Sequence, residues 1–87
     1  MKCTILHETR GRMRVRLCCR RMTLEQADVL EYYLRAVDGV QSVKVYDRTR
    51  DAVVVYDAER GSIIRALGAF SFAKAEAMEL VPEHTSR

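Results

Sequence analysis

The sequence contains no tryptophan, no asparagine and one proline, and it has no apolar run approaching the roughly 18 residues a membrane-spanning helix needs. It also lacks a glycine-rich phosphate loop and any Ser-His-Asp arrangement, and His84, one of its two histidines, falls in a polar tail. Nucleophile-and-base chemistry therefore has no candidates, and an enzyme is not expected. Cysteine is sparse: Cys3, Cys18 and Cys19, an odd count with two neighbours side by side, make no disulfide framework. With no secretory signal in view, a reducing cytoplasmic setting is expected, which includes that of a soluble domain of an inner-membrane protein. Repeats, low-complexity tracts and linkers are missing too. One domain is expected over residues 1–82, followed by a polar tail at 83–87.

What is present is the composition of an ordinary globular chain, 48% hydrophobic and 31% charged. The formal charge is only +3, but it is unevenly spread. Arg10, Arg12, Arg14, Arg16, Arg20 and Arg21 fall in one stretch, with no Asp or Glu between Thr9 and Leu24. A basic band of that density attracts phosphate, an anionic surface or an acidic partner.

Hydrophobic periodicity orders the chain. Over Arg12–Leu17, Met13, Val15 and Leu17 alternate with Arg12, Arg14 and Arg16, the period of a strand with one buried face. The run 3–7 is strand-like as well, and Gly11 permits a bulge or bend between the two pieces. Thr23 and Gln26 have capping-box spacing, and behind them Ala27, Leu30, Leu34 and Val37 mark one face of a helix that Asp38-Gly39 ends. Val40–Tyr46 predicts a second strand, 47–51 a polar turn, and 52–56 a third strand, paired as a hairpin. A second helix is predicted over 59–72 and a short last strand over 77–81, before Pro82. The order predicts an α+β, ferredoxin-like βαββαβ sandwich: a four-stranded antiparallel sheet with two helices on one face. The arginine row then lies on the open face.

Three stretches resemble one family. They are the run Arg10-Gly11-Arg12-Met13-Arg14-Val15-Arg16-Leu17, the helix end Leu34-Arg35-Ala36-Val37-Asp38-Gly39-Val40, and the hairpin Val43-Lys44-Val45-Tyr46 with Val53-Val54-Val55-Tyr56-Asp57. Together they look like a divergent heavy-metal-associated domain of the heavy-metal-translocating P-type ATPases, over residues 3–72. The resemblance implies a non-catalytic cytoplasmic regulatory or docking domain associated with a cation-transporting ATPase. Its implied partners are the remainder of that membrane protein or a metallochaperone-like protein. Such domains hold a soft metal through Met-x-Cys-x-x-Cys in the loop between first strand and first helix. Here the loop reads Leu17-Cys18-Cys19-Arg20-Arg21-Met22-Thr23, without the two-residue gap, so the family's ligands do not transfer. Cys18 and Cys19 with Met22 remain as a degenerate site for Cu(I) or Zn(II).

Each of these signals has a plainer reading. Neighbouring side chains on an extended segment point to opposite faces, so Cys18 and Cys19 chelate only if the loop relaxes; otherwise one is core filler. His7 shares the face of Ile5 in regular geometry and lies about 13 Å along the strand from Cys3, too far to share a metal with it. The row Arg12, Arg14, Arg16 is a candidate surface for an anion, a nucleic acid or a partner, the alternative to a transporter-associated domain being a nucleic-acid or anion-binding module. Sheets that read RNA carry stacking aromatics on such strands, and this one has none, although Tyr46 and Tyr56 fall on neighbouring strands; a solvated face neutralised by Glu76 or Glu79 is the alternative. Of Tyr32 and Tyr33, at least one is expected to face outward, at a partner interface or alone. Acylphosphatases share the topology but need a positioned asparagine, and there is none. A homodimer through the sheet face or an edge strand is a further alternative.

Overall fold

Alternation over Arg12–Leu17 forces Met13, Val15 and Leu17 to one side of a pleated strand and the arginines to the other. In the computed structural model, which describes residues 2–72, those three apolar side chains are at most 1% exposed. The elements in order are β1 (Cys3–Thr9), β2 (Arg12–Leu17), α1 (Leu24–Arg35), β3 (Val40–Tyr46), β4 (Asp51–Tyr56) and α2 (Arg60–Ala69). The strands form one antiparallel sheet in the order β1-β2-β4-β3.

The expected split βαβ core is present, with β4 antiparallel to both β2 and β3 and lying between them. The first strand differs from expectation. Residues 3–9 and 12–17 are not two pieces of one bent strand but a hairpin, Thr9 facing Arg12 across a two-residue turn. Gly11 makes the reversal at φ +79°, and a Cβ there would sit 3.2 Å from the Tyr56 carbonyl oxygen. The Gly11 carbonyl in turn accepts the Tyr56 amide at 2.9 Å, tying the turn to β4. The described residues thus run ββαββα rather than βαββαβ, and β1 occupies the flank of β2 where the expected order puts the final strand. The strand expected at 77–81 and the tail at 83–87 lie outside the described residues.

Both helices cover the same face. Leu30 and Leu34 of α1 and Ile63 and Leu67 of α2 share one core with Met13, Val15, Leu17, Ala52 and Val54. The helices meet at Tyr33, whose hydroxyl donates to the Ala66 carbonyl at 2.9 Å and whose ring packs on Phe70 at 4.8 Å. Tyr32 faces outward. The capping box forms as expected: Thr23 Oγ1 accepts the Gln26 amide at 3.1 Å, and Gln26 Oε1 accepts the Thr23 amide at 3.0 Å. Helix α2 is shorter than predicted. It begins after Glu59, which makes no side-chain cap, and it ends at Ala69. An ion pair from Arg60 to Glu8 fastens its first turn to β1.

Gly39 turns the chain from α1 into β3 at φ +86°, close enough to 57–58 that a Cβ would meet Ala58 Cβ at 2.5 Å and the Asp57 oxygen at 2.7 Å. Only glycine fits there, for both backbone and space.

Candidate functional site

Two surfaces carry the residues singled out by sequence: the open face of the sheet and the loop end of the molecule. On the open face, strand register sets Arg12, Arg14 and Arg16 beside Val55, Val53 and Asp51 of β4. Asp51 is the acid that neutralises the row. Its carboxylate accepts from Arg14 Nε at 3.0 Å and Arg16 Nε at 2.8 Å, and it is 1% exposed because the arginines and strands roof it. The Arg16 hydrogen bond holds the Asp51 carboxyl below its ordinary pKa, opposed by desolvation and assisted by Arg14; reciprocally, Asp51 raises Arg16. Arg14 also lies over the Tyr46 ring, 5.4 Å from its centroid, and Lys44 approaches the same ring. Two of the three arginines are therefore engaged within the sheet, and Arg12 is exposed with no ion pair among the described residues.

Asp51 ends the expected polar turn 47–51 and is instead the first residue of β4; Glu76 and Glu79, the expected neutralising acids, lie outside the described residues. Opposite charges on neighbouring strands pair when register sets them side by side, and that register is not visible in spacing along the chain.

His7 also moves. A bulge at Leu6, between Ile5 and His7, shifts the register of β1, so His7 faces Arg14 on the open side instead of sharing the face of Ile5. Tyr56 is buried on the helix side and does not join Tyr46 on the open face.

At the loop end, Cys18 and Cys19 sit in different surroundings. Cys18 is exposed, its amide held by the Lys2 carbonyl at 3.0 Å and its sulfur 4.0 Å from Thr4 Oγ1. Cys19 packs against the core. Met22 is 5% exposed and part of the core, its thioether committed to packing. Cys3 lies half-buried on β1 across from Leu17; burial first, then the nearness of Cys18, raises its thiol pKa. No group of three or more His, Cys, Asp or Glu side chains among the described residues is arranged to hold a metal ion.

Over 78 residues, 90% of its length, the chain is 37% identical to the zinc-exporting P-type ATPase of Mycobacterium marinum (strain ATCC BAA-535 / M). The likeness is to a small part of a metal-transporting ATPase. The chain spans 11% of that relative's length. No family model and no solved structure matches the chain. No helix among the described residues is long and apolar enough to cross a membrane.

Proposed function

We propose that the chain is a non-catalytic regulatory or docking domain associated with a heavy-metal cation-transporting P-type ATPase, placed on the cytoplasmic side. In this reading it is a heavy-metal-associated domain with at most a degenerate metal site. The observation that carries the proposal is the similarity along 90% of the chain to a zinc-exporting P-type ATPase. The split βαβ core and the cysteine-bearing loop between β2 and α1 support it. The loop also supports the docking role over metal delivery. Cys18 lies in solvent, Cys19 against the core and Met22 within it, a poorer start for one shared ion than a preformed pair of thiolates. The open face is the better partner surface: the helices leave it uncovered, and Arg12, Lys44 and Tyr46 are exposed on it.

The test is a chimera in which this chain replaces the matching segment of the zinc-exporting relative. Zinc-stimulated ATP hydrolysis retained by the chimera, together with no hydrolysis by the chain alone, is the expected result. A chimera no more active than a deletion of the segment, where the parent depends on it, would refute the assignment.

A further inference from the structure

The loop end holds a second basic surface, separate from the arginine row of the sheet. The segment between β2 and α1 and the turn between β3 and β4 meet around a shallow pocket of about 380 Å³, lined by Arg20, Arg21, Met22, Asp47, Arg48 and Arg50. The two walls are fastened together. The Arg50 guanidinium donates to the Cys19 carbonyl, and the Arg50 carbonyl accepts the Leu17 amide at 2.9 Å. Arg50 holds this position in the left-handed region, at φ +62°. Met22, anchored in the core, fixes the base of the loop. None of the four arginines forms an ion pair among the described residues, and Asp47 is the one carboxylate lining the pocket.

We propose that this pocket binds a polyphosphate group, of which inorganic pyrophosphate is the simplest form. Guanidinium forks match phosphate oxygens two at a time, and those of Arg20, Arg21 and Arg48, beside the positive charge of the wall-fastening Arg50 and against one carboxylate, suit a multiply charged anion better than a single carboxylate. The lining has no aromatic side chain, so no base is stacked and the ligand is recognised by its phosphates alone. Pyrophosphate, triphosphate and ATP therefore all bind without regard to a base, more tightly as their charge rises, and each weakens as salt is added.

Calorimetric titration of the 87-residue chain with pyrophosphate at low ionic strength tests this, using three variants. Arg20 and Arg48 are exposed and hold no other element, so the double variant Arg20→Gln, Arg48→Gln leaves the fold intact and binds at least about tenfold more weakly. Asp47→Asn, which removes the opposing charge, binds more tightly. Arg10→Gln with Arg35→Gln removes equal charge at the opposite end and changes affinity by less than about twofold. Amide shifts on titration concentrate at residues 20–22 and 47–50. Equal losses in the two double variants, or shifts centred on Arg12, Arg14 and Arg16, would overturn the proposal. So would binding to phosphatidylglycerol vesicles with no response to pyrophosphate, since that marks a charged surface rather than a pocket.

Discussion

Replacing Asp51 by asparagine isolates the charge at the centre of the sheet while keeping the shape of the side chain. The carboxylate is 1% exposed and accepts from two guanidiniums, at 2.8 and 3.0 Å. A charge-assisted hydrogen bond shut away from water is worth roughly 1.5–3 kcal/mol. Both donors here reach solvent, with side chains 42% and 45% exposed, so they are rehydrated when released, and the loss falls toward the roughly 0–1 kcal/mol of exposed pairs. Asparagine also retains one acceptor oxygen. The expected destabilisation is about 1–2 kcal/mol at neutral pH, a fall in melting temperature of roughly 5–15 °C for a domain of this size.

The pH dependence fixes the cause. Because Arg16 and Arg14 hold the folded pKa of Asp51 below its unfolded value, the contribution is complete above about pH 4 and is lost as acid takes the pH down through the folded value. Urea unfolding at pH 7 and at successively lower pH should therefore show the gap between wild type and Asp51→Asn closing in acid. A gap of the same size at pH 7 and pH 2 would mean that shape, not charge, is what the sheet needs at this position.

Two further substitutions check local structure. Gly39→Ala should cost about 2–4 kcal/mol in denaturant unfolding, since it combines a left-handed backbone with a Cβ 2.5 Å from Ala58 Cβ; a loss under about 0.5 kcal/mol would contradict the packing of that turn. Thr23→Ala should cost about 1 kcal/mol, and Thr23→Ser nearly nothing, because a hydroxyl acceptor for the Gln26 amide is what matters.

The sequence carried the periodic parts of this fold legibly. Strand β2, the face of α1 and β3 follow from spacing because each repeats a pattern over six or more residues, and the capping box follows from its Thr23/Gln26 spacing. The hairpin of β1 and β2 was not legible. A glycine between two strand-like runs is compatible with a bulge, a bend or a full reversal, and the choice here is made by contacts with Tyr56, far along the chain. The bulge at Leu6 decides the face of His7, and a one-residue irregularity leaves no trace in the alternation of the sequence. Asp51 looked like a turn residue because it adjoins Asp47-Arg48-Thr49-Arg50; only register with Arg16 makes it a buried partner. The arginine pocket combines loops some 25 residues apart, and no spacing rule along the chain brings them together.

In the docking role proposed above the domain carries no metal, since Cys18 and Cys19 face different surroundings and Met22 is core. The direct measurement is titration of the reduced chain with Zn(II) and with Cu(I), beside the double variant Cys18→Ser, Cys19→Ser. Equal stoichiometry and affinity in the two proteins is the predicted result. Tight one-to-one binding by the wild type that the double variant loses would contradict it.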